Sequence, residues 1–280
     1  MDSKMHADHF IDQLRLMGAL PDCETTDRTL AAFRAVPREA FAGPGPWQVR
    51  SALAQNGFAV HVTPDADPRW LYHAVLVVLD EEQGINIGEP TLWARHLARA
   101  GVWSGARVLQ VGAGVGYYTA ILAHLVGPEG KVVAYEVEDN LVERAKTNLT
   151  AWTNAEVRHG NAVTDLRNDK SHSLFDFVVA FAGVTHAPDA WFPRLSERAR
   201  LLLPLTGENG WGAMILAHRT DEGFEATTLG RCGFYPCAGA RDDRLAKRVS
   251  ELFSDPAHLA NWRIKMIHKK EGIELEPVDR

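Results

Sequence analysis

The 280-residue sequence predicts an α/β fold: a doubly wound sheet with an antiparallel C-terminal hairpin edge, an N-terminal helical extension and a C-terminal helical tail. Three observations carry this. An apolar strand, a glycine turn and a helical run follow one another over residues 107–126. Strand-like and helix-like segments then alternate to residue 205. Two further strand-like segments, 211–218 and 225–229, have no helix between them and should pair as a hairpin at one sheet edge.

Residues 5–17 predict a helix, with Phe10, Leu14 and Met17 at helical spacing and Gly18 as the stop. A second helix over 27–35 turns Leu30 and Phe33 inward and ends at Val36-Pro37. Residues 43–70 are rich in Gly, Pro, Asp and Gln and predict a surface excursion with one strand, GFAVHV, at 57–62. Residues 71–79 are strand-like, 84–90 (GINIGEP) form a loop, and 91–101 form a helix. Beyond the glycine turn, Gly127-Pro128 stops the helix over 117–126, and 131–136 is a strand. The helix over 139–152 places Leu141, Val142, Ala145, Leu149 and Trp152 on one side. Strands at 156–159, 175–181 and 200–205 flank a helix at 188–197. Residues 241–280 are charged and read as mostly helical, with Leu245, Val249 and Phe253 as one apolar stripe. That stripe covers the sheet edge or makes a homodimer contact.

The glycines are Gly112, Gly114 and Gly116, with Ala113 between the first two. Tyr117 stands where a dinucleotide fingerprint needs its last small residue for close approach to a pyrophosphate. A cofactor without phosphate has no such need, so S-adenosyl-L-methionine is expected before a nicotinamide dinucleotide. Glu136 ends the second strand 20 residues beyond Gly116, in place to accept bonds from ribose hydroxyls. A glycine turn alone can be no more than a tight turn. Here its flanking strand, helix and acid complete a Rossmann-like unit.

Composition narrows the rest. The hydrophobic fraction of 46% can fill a core, and a net charge of −6 argues against a nucleic-acid partner. No apolar run approaches the roughly 18 residues of a membrane span, and the opening MDSKMHADHF has no signal-peptide h-region. Cys23, Cys232 and Cys237 form an odd, sparse set suited to reduced cytoplasmic thiols. No metal site is expected: Cys232 and Cys237 lack a companion pair, and the 12 His are scattered.

Taken together, the segments resemble the protein-L-isoaspartate O-methyltransferase family over residues 8–239. AFRAVPREAF (32–41) is similar to the family's "VPRE-F" segment, and GINIGEP to its G-x-T-I-S-x-P loop. VLQVGAGVGYYTAILA matches the cofactor motif, and FDFVVAFAGVTHAPDAWFPRL, LLLPLTG and GFYPC resemble later strands in family order. The resemblance implies a class I methyltransferase fold. Residues 1–90 would carry helices and the substrate loop, 91–240 the cofactor domain, and 241–280 an extension. The sequence departs from the pattern in three ways. Gly88 falls at the family's active-site serine and Asn86 at its preceding threonine; Gln110 replaces an acid often found on the first strand; the segment before Tyr72 and the tail are longer.

The resemblance implies transfer of a methyl group from S-adenosyl-L-methionine to a carboxylate, leaving S-adenosyl-L-homocysteine. A carboxylate has a reference pKa near ~4 and needs no general base at neutral pH. Losing the serine removes one positioning bond, at about 1 kcal/mol for a neutral pair. Asn86 or Thr91 can replace it, or can simply serve as turn former and helix-start residue. For the cofactor, Gln110, Gly112, Ala113, Gly114, Gly116 and Tyr117 form the turn, and Glu136 takes the ribose. Val137 and Ala162 flank the adenine. Asn161 matches the family's adenine-binding position or is a loop residue. Ala180 lines the cleft at a strand carboxyl end. Tyr72, Glu89, His186 and Tyr235 are assigned to the acceptor; a solvated loop His and a packed aromatic are the plainer readings of the last two. The acceptor is a peptide or small-molecule carboxylate. Alternatives are a diverged methyltransferase, a cofactor-binding protein without turnover and, more distantly, an NAD-dependent oxidoreductase.

Overall fold

The structure is a computed structural model that describes residues 3–51, 59–169, 173–221, 223–269 and 272–278. Helices α1 (Ser3–Leu16), α2 (Thr26–Ala35) and α3 (Glu39–Ala42) precede strands β1 (Gln48–Arg50), β2 (His61–Val62), β3 (Leu76–Asp80) and β4 (Ile85–Ile87). Next come α4 (Pro90–Ala100), β5 (Arg107–Val111), α5 (Tyr117–Val126), β6 (Lys131–Glu136), α6 (Asp139–Asn148) and β7 (Ala155–His159). The chain continues through α7 (Thr164–Asn168), β8 (Phe175–Ala180), β9 (Leu195–Thr206), β10 (Trp211–Thr220) and β11 (Gly223–Gly233). It ends with α8 (Asp243–Leu252), β12 (Ala260–Lys269) and β13 (Gly272–Pro277).

The strands form a small sheet of order β2-β1-β3-β4 and a nine-stranded sheet of order β13-β12-β11-β10-β9-β8-β5-β6-β7. In the large sheet β5, β8 and β9 pair in parallel, and β9 to β13 pair antiparallel in succession. This is the mixed α/β architecture expected of the sequence. Among the described residues, no helix is long and apolar enough to cross a membrane.

The chain divides into two compact units. The first comprises Met1–Gly105, Ala113–Val132 and Glu138–Val157. Its helices bury one face each: Phe10, Ile11 and Leu14 on α1, Leu30 and Phe33 on α2, Trp93 and Leu97 on α4. Met17, expected on the buried stripe of α1, lies past its end and is exposed. Val36 is extended, as a residue before proline must be, and that ends α2. In α4, Pro90 occupies the first turn and Gly101 closes the helix in the left-handed region at φ 68°.

The second unit comprises Ala106–Gly112, Val133–Val137 and Arg158–Arg280. Phe177, Val178, Val179 and Ala180 of β8 are all fully buried, as in a parallel strand covered on both faces. Leu109, Val178, Leu203, Ile215, Phe224, Ile264 and Met266 belong to one core cluster.

Several expectations are corrected. The tail is not mostly helical: only Asp243–Leu252 is, and residues 260–277 form two strands. Trp262, Ile264 and Met266 are buried while Arg263 is exposed, the period-two alternation of a strand beneath a charged composition. The hairpin β10–β11 is therefore interior, and β13 is the edge. The apolar stripe of α8 packs within its own unit, with Leu245, Val249 and Leu252 buried in the core cluster. The helix expected over 188–197 is a short 3-10 turn, Phe192–Arg194, because Leu195 already pairs with Phe175. The strand expected over 71–79 begins only at Leu76, after a 3-10 turn over Pro68–Leu71. The strand expected at 57–62 lies partly outside the described residues; His61–Val62 is strand.

Candidate functional site

The second unit carries the carboxyl ends of β5, β6 and β8. Gly112 follows β5 at φ 85°, and a Cβ there would sit 3.5 Å from Phe181 Cβ. Its N–H donates to Tyr135 O at 2.9 Å, and Phe181 N–H donates to Val111 O at 2.8 Å. These bonds pin the strand ends together. Gln110 is fully buried. Its Nε2 donates to Gly112 O at 3.0 Å, while Oε1 is buried without a hydrogen-bond partner. An orphaned acceptor in a core costs about 1–3 kcal/mol. It is a place for a ligand's donor, and the α-ammonium of a methionine supplies one.

Glu136 ends β6 and is 7% exposed, with Oε1 accepting from Val137 N–H at 2.8 Å. Val137 itself is exposed. Asn161 is anchored at both ends of its amide: Oδ1 accepts from Val163 N–H at 2.8 Å and Nδ2 donates to Ala238 O at 3.1 Å. Ala162 is buried, and its carbonyl accepts from Trp191 Nε1 at 3.3 Å. Ala180 is buried at the end of β8. Beyond it, His186 is half-buried and bonded through Nδ1 to Thr185 Oγ1, while Tyr235 is exposed and its carbonyl accepts from Gly183 N–H. Burial pushes the nearby Cys237 thiol up to about 12, so it is not a nucleophile at neutral pH. The acceptor at Gln110, the strand-end glycine and the acid on β6 fit the amino-acid and ribose parts of S-adenosyl-L-methionine.

The first unit carries the rest of the glycine turn and the loop after β4. Ala113 O accepts from Gly116 N–H at 3.0 Å, closing the turn. Gly114 (φ 55°) faces open space. Gly116 (φ 90°) does not: a Cβ there would meet Leu149 Cδ1 at 2.9 Å. The third glycine thus serves helix packing. Tyr117 is buried, 4.9 Å centroid to centroid from Tyr118 and 5.6 Å from Phe41.

The loop after β4 is held through its carbonyls. Gly88 O accepts from Tyr118 Oη at 2.7 Å and from Arg38 Nη2 at 3.1 Å. Arg38 is 1% exposed and also donates to Leu71 O at 2.6 Å, Val75 O at 2.9 Å and Ile87 O at 3.4 Å. Asn86 Nδ2 donates to Gly84 O at 3.0 Å, the bond of a turn former. Glu89 caps α4: Oε1 accepts from Thr91 N–H at 2.6 Å and Oε2 from Leu92 N–H at 2.9 Å. Its carboxylate has a structural task on the helix start. Tyr72 is buried, donating to Glu39 Oε2 at 2.6 Å and accepting from Arg38 N–H at 3.2 Å. Burial, reinforced by Glu39, raises its hydroxyl pKa far above the ordinary value.

The glycine at the serine position has a local cause. A Cβ on Gly88 would lie 2.7 Å from Trp93 Nε1 and 3.1 Å from Trp93 Cδ1. Trp93 is 1% exposed, so its indole has little room to move. Gly88→Ser is expected to lower stability by about 1–3 kcal/mol through overpacking. A thermal melt checks this; an unchanged midpoint would mean the indole gives way freely. Arg38, Trp93, Tyr118 and Thr185 were not singled out by sequence reasoning. Arg38 had a signal, its place within the quoted VPRE segment.

A family model described as Protein-L-isoaspartate(D-aspartate) O-methyltransferase matches residues 5–242. A protein-L-isoaspartate O-methyltransferase of Ignicoccus hospitalis is 31% identical over 158 residues, 55% of this chain and 72% of that protein. One of Yersinia pestis is 30% identical over 212 residues, 75% of this chain and 87% of that protein. A solved structure of a protein-L-isoaspartate O-methyltransferase shares the fold at TM-score 0.65 and 22% identity, over 84% of this chain and 66% of the other.

Proposed function

The chain belongs to the protein-L-isoaspartate(D-aspartate) O-methyltransferase family, and from that premise we propose that it transfers a methyl group from S-adenosyl-L-methionine to the carboxylate of an isoaspartyl residue in a peptide or protein. The observation that carries the cofactor side is the buried, unpartnered Oε1 of Gln110 at the end of β5. When bound, S-adenosyl-L-methionine supplies an electrophilic methyl group on a sulfonium sulfur. The chain's own residues bind and align. Gln110 Oε1 accepts from the amino-acid end, and Gly112 and Gly114 let the backbone come close. Glu136 takes the ribose hydroxyls. Val137 and Ala162 flank the adenine. Asn161 Oδ1 keeps a second lone pair for the adenine amino group. Ala180 supplies an apolar wall that keeps water out.

The acceptor carboxylate is ionised at neutral pH, so no side chain has to remove a proton. Its alignment is the remaining task. Gly88 has no side chain to offer, and Asn86 spends an amide proton on Gly84. The second amide proton of Asn86 and the Thr91 hydroxyl are the candidate replacements for the missing serine hydroxyl. The unpaired thiols Cys23, Cys232 and Cys237 support a cytoplasmic setting.

S-adenosyl-L-homocysteine at a hundredfold its Kd is expected to add about 2.7 kcal/mol of apparent stability. Glu136→Ala is expected to weaken that ligand about tenfold or more, since bonds to a charged acceptor are lost. Titrated thermal melts measure both. A chain stabilised by NAD and indifferent to S-adenosyl-L-homocysteine would overturn the reading.

A further inference from the structure

The stretch after β8 is tied down at every residue from Gly183 to Thr185. Gly183 N–H donates to Tyr235 O at 2.7 Å, and Cys237 N–H returns to Gly183 O at 2.8 Å. Val184 N–H donates to Pro204 O and Thr206 N–H returns to Val184 O, both at 2.9 Å. Thr185 N–H donates to Ala240 O at 3.0 Å. A segment held this way presents the next residue, His186, in a fixed place at the strand carboxyl ends.

The Thr185 hydroxyl is fully buried and has three neighbours. It accepts from Asp242 N–H at 3.1 Å, and Asp242 in turn caps α8 through Leu245 N–H at 2.8 Å. Its single proton has two possible acceptors: His186 Nδ1 at 2.9 Å and Ala240 O at 3.4 Å. The carbonyl is already served by Thr185 N–H, and its hydroxyl contact is long. Of the two contacts, the one to the imidazole is the shorter. A neutral histidine whose Nδ1 accepts must carry its own proton on Nε2.

We propose that Thr185 is a positioning residue that holds His186 as the Nε2–H tautomer, and that this N–H is a hydrogen-bond donor to the acceptor carboxylate. The second half rests on the methyltransferase reading above. His186 would then supply, from the end of β8, a positioning bond to the acceptor carboxylate. The N-cap of α8 shares the same hydroxyl through Asp242 N–H, so the start of that helix helps set the ring's orientation.

The test has two arms. Nitrogen-15 NMR of labelled full-length protein at a pH where the ring is neutral reads the tautomer directly. Nε2–H in the parent and in Thr185→Ser, with mixed tautomers in Thr185→Val, is the expected result. Nδ1–H in the parent overturns the proposal. Kinetics with an isoaspartyl peptide form the second arm. Thr185→Val and His186→Leu should raise the peptide KM about tenfold, the loss of one bond to a charged group, with the KM for S-adenosyl-L-methionine unchanged. Thr185→Ser and His186→Gln, which keep a hydroxyl and an amide donor, should stay within about threefold of the parent. Equal losses in all four variants, or a peptide KM that none of them moves, would overturn the donor role. If the parent shows no transfer to the peptide, the methyl-acceptor reading and the donor role fall together, and the tautomer arm still decides the Thr185–His186 pairing.

Discussion

A chain ending at residue 242 is expected not to fold into a soluble monomer. The segment removed holds Leu245, Val249, Leu252, Trp262, Ile264, Met266 and Leu275, all buried in the core cluster of the second unit. At about 1.5–3 kcal/mol per large apolar side chain, their burial contributes roughly 10 kcal/mol or more. That matches the entire stability of a typical domain, about 5–15 kcal/mol. The cut would also strip β12 from β11, leaving residues 223–229 as an open edge ready to pair with other chains. Expression of the truncated chain should give insoluble protein or large aggregates in size-exclusion chromatography. A soluble monomer melting within a few degrees of the full chain would show that the tail is an ornament. The family model's match ends at residue 242, just before the segment removed.

The second large effect is expected at Arg38. Its guanidinium donates to Leu71 O, Val75 O, Ile87 O and Gly88 O from a site with 1% exposure. Arg38→Met keeps much of the volume and leaves buried carbonyls without their donor. At about 1–3 kcal/mol per unsatisfied group, the loss should reach about 3 kcal/mol or more. For a chain of this size that lowers the melting temperature by roughly 10 °C. Arg38→Lys should rescue only part of it, because a compact ammonium cannot span carbonyls that a planar fork reaches. Methyl transfer should fall with the stability of the loop, since Gly88 O loses one of its two donors. A melt of Arg38→Met within about 2 °C of the parent would contradict this account.

The parts of the fold written in local chemistry were legible. β5, α5 and β6 fall where the apolar runs and the Gly127-Pro128 stop put them. The helix over Thr26–Ala35 ends where Val36-Pro37 requires. The tail was misread because its charged composition suits a helix, while the alternation of Trp262, Ile264 and Met266 makes sense only beside β11. A stretch of three alternating residues has no meaning until a partner strand exists. The 3-10 turn at Phe192–Arg194 has the same origin: the pairing of Leu195 with Phe175 overrides helical composition.

The candidate site divides along the same line. The glycine turn and Glu136 depend on backbone conformation and spacing, which the sequence states openly. The tasks of Glu89 and Tyr72 do not show, because a cap and a buried hydroxyl are defined by what lies near them. Read alone, Gly88 is only the loss of one positioning bond. Beside Trp93 it is the residue that the space allows.

The most direct test is methyl transfer from labelled S-adenosyl-L-methionine to an isoaspartyl peptide, with the normal aspartyl peptide as control. The account predicts base-labile label on the isoaspartyl peptide and none on the control. Absence of transfer by a chain that S-adenosyl-L-homocysteine demonstrably stabilises would contradict it.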